Sequence, residues 1–335
     1  IYIDFDLFTD RRFTPLDGTA GSHWNRLYKA AIMFDPELRA LQKEFARQFM
    51  EHRNPYTGLK YCDEPALAIV GVANETSMYY QWNSKAIDDL GPYFGPQLDR
   101  LFNDYLAKTY GDSETLSAAW GRAEELGKVK RPKYGEKGKH VNDFLHFAWQ
   151  LERDYFSDIC SYLKHDLGYK GCVSGSMAFG LYGAAVNRDF DFIDMHAYWN
   201  HPTYLPSGHK VNNLPIANKP ALNSFEMLSV GRVRGKPFAV TEINHPFPSY
   251  YDAEMIPLSA AYAANQDWDA VVFFDFHAST NWHSPRIRNY FEIDGHPAKT
   301  IQLLAGSAAF LRDVPPAPGY QVLSVNPKDA VDIAA

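Results

Sequence analysis

Apolar and polar positions along this chain follow two rhythms in turn. Continuous apolar runs at residues 66–73 and 237–241 each lead to a glutamate, and further short strand-like stretches lie at 171–174, 190–196 and 270–274, with another where the chain opens, at 1–5. Short runs without polar alternation predict strands buried on both faces, as in parallel sheets. Between them the apolar residues return at helical spacing. Asp35-Pro36 supplies an N-cap and a first-turn proline, and Leu38, Leu41, Phe45 and Phe49 follow on one predicted face. Further helices are expected over 96–109, over 113–120, from a cap at Asn142 to a stop at Gly168, and over 299–311. Residues 121–140 are rich in Lys, Gly and Pro and read as an exposed loop.

Strand–helix alternation on this scale implies a parallel sheet with right-handed crossovers. The fold expected is α/β, a (β/α)8 TIM barrel. Only six strand signals are present against the eight of a closed barrel, so the first two βα units are expected to be missing from this chain. A complete open sheet is the alternative. The barrel domain is placed at 1–312. The proline-rich break at 314–318 precedes a run at 320–325 that reads as a strand, so 313–335 is expected to begin a truncated C-terminal β region.

Composition changes this picture little. The 335 residues carry a net charge of −7, which argues against nucleic acid or an anionic membrane surface as a partner. No apolar run reaches the length of a membrane span. Aromatic residues make up 15% of the chain; most belong to a large core, and some could serve as stacking platforms for sugars. Cys62, Cys160 and Cys172 form no CxxC and are expected as buried thiols. The basic run in the 121–140 loop is expected to be solvated rather than anion-binding. The chain begins without a Met or a signal sequence, so its natural start is expected upstream; the compartment is left open, with secreted or periplasmic favoured over cytoplasmic.

Two of the apolar runs lead into glutamates. Asn74-Glu75 follows the run at 66–73, and Glu242 follows the run at 237–241; between them the stretch at 190–196 leads into His196-Ala197-Tyr198-Trp199. Residues at the C-terminal ends of barrel strands face the active-site mouth. Two carboxylates delivered there suit glycosidic bond cleavage, which in its retaining form needs them about 5–5.5 Å apart. In this order Asn-Glu, His-x-Tyr and Glu resemble the clan A retaining glycoside hydrolases, with the His-x-Tyr element similar to family 5, the cellulase family. The segment from Tyr110 to Gly121 (YGDSETLSAAWG) resembles one found in family 42 β-galactosidases.

The resemblance implies a retaining β-glycoside hydrolase acting by double displacement on a β-linked oligo- or polysaccharide, with Glu75 as acid/base and Glu242 as nucleophile. It implies substrate-binding roles for Asn74, His196, Tyr198, Trp199, His277 and Trp282, no metal and no other cofactor. The clan's strand-eight tryptophan is replaced by Phe274-Asp275-Phe276-His277, with Trp282 a little later. A phenol at Tyr198 could donate to Glu242 and keep it charged. A catalytically silent carbohydrate-binding barrel and a metal-dependent barrel hydrolase are the alternatives. Sugar, linkage, endo or exo action and oligomeric state are left open.

Overall fold

The computed structural model describes residues 29–219, 223–278, 280–282, 286–287, 289–312, 319, 322 and 324–334. Its elements begin with α1 (Pro36–Glu51), β1 (Ile69–Gly71), α2 (Met78–Asn83), α3 (Gly91–Tyr110), α4 (Ser113–Trp120), α5 (Lys139–Ser161), β2 (Cys172–Ser174) and α6 (Gly180–Asn187). Then follow β3 (Ile193–Tyr198), β4 (Thr203–Leu205), β5 (Gly208–Lys210), α7 (Ser224–Val230), β6 (Phe238–Asn244), α8 (Met255–Asn265), β7 (Ala270–Phe273), α9 (Pro297–Phe310) and α10 (Pro327–Ala334). The chain forms two compact units. The first takes in the described residues up to Asp191 and those from Val325 onward; the second is Phe192–Ser324. No described helix is long and apolar enough to cross a membrane.

In the first unit β1 and β2 pair in parallel, Val70 opposite Val173. Asp35 caps α1 as expected, its carboxylate accepting from the Leu38 amide at 2.9 Å. The buried face, however, is Leu38, Gln42, Ala46 and Met50, while Leu41 and Phe45 remain 40% and 37% exposed. Gln42 belongs inside because its polar atoms are satisfied there: Nε2 donates to the Val72 carbonyl at 3.0 Å, and Oε1 accepts from the Tyr155 hydroxyl at 2.8 Å. Against this wall α3 and α5 bury Leu98, Phe102, Phe144, Phe156 and Ile159 completely. Each such side chain contributes about 1.5–3 kcal/mol.

Several expectations are corrected here. α5 starts after Gly138, whose φ of 122° suits glycine, and not at Asn142, which lies within the helix. Cys62 is buried, but Cys160 is half-buried and Cys172 is exposed. Where a C-terminal β region was expected, residues 327–334 form α10, whose Asp332 accepts from Asn142 at 3.2 Å. The strand expected at 1–5 lies outside the described residues, as do residues 320, 321 and 323 of the one at 320–325, while 322, 324 and 325 are described and form no strand. The basic loop is structural in part: Arg131 pairs with Asp99 at 2.5 Å and donates to the Gly95 and Ile87 carbonyls.

In the second unit β3, β6 and β7 form a parallel sheet in that order. α7 lies between β3 and β6 in the chain, and α8 between β6 and β7. Strand followed by helix followed by parallel strand is the barrel's repeating unit. The β4–β5 hairpin, Thr203 opposite Lys210, was not expected.

One buried carboxyl ties the first unit together. Glu152 of α5 accepts from the Met78 amide at 2.9 Å, the Ser77 hydroxyl at 3.1 Å and the Tyr182 hydroxyl at 3.4 Å, and so caps α2 from a neighbouring helix. Burial outweighs these donors and pushes its carboxyl up from 4.5 to about 8. The unfolded chain then releases this proton first, so the stabilisation is complete below pH 4.5 and is lost as pH rises through about 8. Thermal melts across this window should show a falling Tm in the wild type and a flatter profile in Glu152→Gln. An identical slope in both proteins would mean that Glu152 is already ionised in the fold.

Candidate active site

The second unit gathers chemistry on the β3–β6 pair. Asp194, His196 and Tyr198 alternate along β3 and so share one face. Opposite them the register slips: Met195 faces Val240, but His196 faces Glu242, leaving Thr241 as an extra residue in β6. The β6–β7 pairing slips over the same stretch. In a regular strand Thr241 and Glu242 would point to opposite faces; the bulge lets both address the β3 row. Glu242 does not end its strand, as expected from the sequence, but lies two residues inside it.

The Tyr198 hydroxyl donates to Glu242 Oε2 at 2.5 Å, the contact the sequence suggested. The Tyr198 ring is held by stacking on Phe291, with centroids 4.5 Å apart. Phe291 is tied in turn, its carbonyl accepting from Asn244 Nδ2 at 2.6 Å. A donor aimed at one carboxylate oxygen stabilises its negative charge and fixes its orientation.

A second set of bonds fixes His196. The Thr241 hydroxyl has one proton and lies 2.7 and 2.9 Å from the two Asp194 oxygens. A carboxylate only accepts, so Thr241 donates to Asp194 and accepts from His196 Nε2 at 2.9 Å. Nε2 therefore carries a proton. That turns Nδ1 toward Glu242, 3.6 Å from Oε2. Asp194 and Thr241 were missed in the sequence. The Asp-x-His-x-Tyr alternation was the available sign, since period two places all three on one strand face.

In the first unit, Asn74 and Glu75 are half-buried just past β1. Backbone pairing runs on beyond the strand, with the Ala73 amide donating to the Gly175 carbonyl at 3.0 Å. Gly175 has to be glycine, because a Cβ would lie 2.7 Å from the Phe156 ring. Glu75 then takes a left-handed backbone with φ of 46°, a strained conformation for a residue with a side chain, costing about 1 kcal/mol or more. The turn is held on both sides. Lys29 Nζ donates to the Asn74 carbonyl at 3.0 Å, and the Thr76 amide donates to Ser176 Oγ at 3.0 Å.

No protein-family model matches the sequence, and no curated protein matches it. Solved structures do. The chain is similar to the β-galactosidase of the psychrophilic Marinomonas ef1, with a TM-score of 0.56 at 14% identity over 82% of this chain and 43% of that one. It is similar to Gan42B, a GH42 β-galactosidase, with a TM-score of 0.53 at 16% identity over 83% of this chain and 40% of that one. An exo-β-agarase gives a TM-score of 0.54 at 16% identity over 84% and 39%. Its fold is that of the clan A glycoside hydrolases. The chain spans less than half the length of these three neighbours.

For a clan A fold, the other expected contact residues are placed unevenly. Trp199 is half-buried and spends its indole N–H on the Leu214 carbonyl at 2.7 Å. The His277 side chain is 2% exposed, so it is poorly placed to touch a substrate. It backs Trp282 instead, with rings stacked 3.7 Å apart, while Trp282 itself is 63% exposed. Trp82, another tryptophan that follows a strand, is core, 2% exposed with its indole N–H bonded to the Pro132 carbonyl. Within the second unit His277, Glu292 and Asp294 offer ligand-type atoms within 4.8 Å of one another. The His277–Asp294 separation of 2.6 Å is a hydrogen bond, with Glu292 at 3.6 Å.

The Asp194–Thr241–His196 arrangement makes a spectroscopic prediction. In ¹⁵N-detected spectra of the folded protein, the His196 Nε2 should show the shift of a protonated nitrogen. Thr241→Ser should preserve that signal. Thr241→Val keeps the shape but loses the hydroxyl, and should release the tautomer and lower turnover roughly tenfold or more. An unprotonated Nε2 in the wild type would refute this assignment.

Proposed function

We propose that this chain is the catalytic part of a retaining β-glycoside hydrolase, with Glu242 as nucleophile and Glu75 as general acid and base. The observation that carries the reading is the Tyr198–Glu242 hydrogen bond on a strand of a clan A fold. A carboxylate held and oriented by a strong donor is a prepared nucleophile.

In the first step a Glu242 oxygen attacks the anomeric carbon and the bond to the leaving oxygen breaks. Glu75 gives that oxygen its proton. In the second step Glu75 takes a proton from water, the water oxygen attacks the anomeric carbon, and the Glu242 ester bond breaks. Asn74 would hold the sugar 2-hydroxyl, and His196, its Nε2 committed to Thr241, would keep Glu242 aligned. Trp282 would offer an exposed ring to a sugar face. The substrate class is a β-linked saccharide. β-Galactosides are the first to try, because two of the similar structures are β-galactosidases.

Glu242→Ala should lower turnover of an aryl β-glycoside by roughly 10⁴-fold or more, and azide or formate should restore part of it as a glycosyl adduct. Glu75→Ala should spare activated aryl glycosides, which need little protonation, and lose about 10²–10⁴-fold on poor leaving groups. Equal loss in both variants on an activated substrate would reverse or remove the assignment.

Tyr198→Phe keeps the ring on Phe291 and removes only the donor. It should slow glycosyl-enzyme formation by roughly 10²-fold. A wild-type kcat/KM in that variant would reduce Tyr198 to a packing residue.

A further inference from the structure

The β4–β5 hairpin stands beside a groove of about 450 Å³ lined by Tyr204, Gly208, His209, Asn289 and Tyr290. That volume falls within the range of small-ligand sites, roughly 300–1,000 Å³. All five residues belong to the second unit. None is used by the catalytic groups described above.

The groove's polar atoms are arranged rather than scattered. The Tyr204 and Tyr290 hydroxyl oxygens lie 2.6 Å apart, so one donates to the other. The accepting hydroxyl keeps its own proton, and no described residue takes it. His209 Nε2 lies 2.8 Å from the Phe247 carbonyl, which only accepts, so Nε2 carries the proton and Nδ1 is an acceptor in the neutral ring. Asn289 Oδ1 accepts from the Phe291 amide at 3.3 Å, which orients its amide NH₂ as the remaining donor. Tyr204 is 63% exposed, an aromatic ring left in water beside these groups.

The groove is also continuous with the neighbourhood of Glu242. Tyr204 meets His201 at 6.4 Å and His201 meets Tyr198 at 5.6 Å, edge to face in both cases. Tyr290 meets Phe291 at 4.8 Å, and Phe291 carries Tyr198. A ligand engaging the hairpin would therefore lie against the aromatic layer that holds the nucleophile's donor.

We propose that this groove is a saccharide subsite. It takes one pyranose ring of a β-linked oligosaccharide beyond the unit being cleaved, with the sugar's apolar face on Tyr204 and its hydroxyls on the Tyr pair, His209 and Asn289. A flat apolar face plus several alternating donors and acceptors is what a pyranose presents, and it matches an aromatic ring flanked by both kinds of group. This deepens the glycosidase reading and rests on it for the substrate class. The hairpin would thus set how strongly chain length counts.

The test measures binding separately from hydrolysis. β-1,4-Linked galacto- and gluco-oligosaccharides of one to four units, and neoagaro-oligosaccharides, are titrated by calorimetry into Glu242→Gln protein, alone and combined with Tyr204→Ala, Tyr204→Phe or Asn289→Ala. The affinity gained on lengthening the chain should shrink about tenfold with Tyr204→Ala and less with Tyr204→Phe. Saturation-transfer contacts from the longer saccharides should fall on the Tyr204 and Tyr290 rings. A length dependence identical in all four proteins, or contacts only at other rings, overturns the subsite. Wild-type turnover of aryl β-glycosides reports on the catalytic reading independently. If that is absent while the length dependence still needs Tyr204, the groove stands and the hydrolase assignment falls.

Discussion

The single extra residue in β6 is the constraint on which the candidate site depends. Without the slip at Thr241, strict alternation would put Thr241 and Glu242 on opposite faces of the sheet. Only one of them could then reach Asp194, His196 and Tyr198. With the slip, Thr241 orients the imidazole and Glu242 receives the phenol, and both act on the same row. A bulge sacrifices ladder bonds and regular packing. Here its return is a carboxylate whose neighbours are each fixed by something else: Tyr198 by Phe291, His196 by Thr241, and Thr241 by Asp194.

What keeps the bulge from relaxing lies just beyond it. Asn244 bridges to the Phe274 and Phe291 carbonyls at 2.5 and 2.6 Å. Lys299 of α9 is fully buried; its ammonium donates to Asn244 Oδ1 at 2.9 Å and to the His245 carbonyl at 2.5 Å, with Asp252 at 3.8 Å. Burial lowers Lys299 to about 8, and burial together with the nearby Lys299 charge lowers His245 to about 3. A buried cation is costly unless its protons are used. Committing them to Asn244, which ends β6, and to His245 just after it makes the position of that strand end, and so of Glu242, part of the core's own requirements.

The strands were legible because apolar runs are a local signal, and five of them fall at or near the expected places. So were α4, expected over 113–120, and the Asp35-Pro36 start of α1, because such signals act within a few residues. The rest depends on partners far apart in the chain. Gln42 is buried because Tyr155 and Val72 receive it, and nothing near Gln42 announces either. Lys299 starts the helix expected over 299–311, but nothing near it announces the Asn244 and His245 partners that bury it. His277 read as a site residue because it follows a strand, yet its side chain faces inward under Trp282. Register slips have no composition of their own, so Thr241 carried no mark in the sequence beyond standing next to Glu242.

Glu75 and Glu242 share a feature that strand-end placement alone does not supply. Each occupies a local departure from regular backbone: Glu75 in the left-handed region, Glu242 at a bulge. Either departure would be removed cheaply by a small change if shape alone mattered, a glycine at 75 or one residue fewer in β6. Each is instead held by surrounding bonds, from Lys29 and Ser176 around the turn in one unit and from Asn244 and Lys299 behind the strand in the other. Local rules are broken where a side chain has to be aimed, and a fold retains the strain only if neighbouring structure compels it. That both glutamates sit at such departures, one just past β1 and one within β6, is what the proposed chemistry would draw on, beyond either glutamate's position along the chain. An N-cap or a surface ion pair would require neither the strain nor the bonds that maintain it.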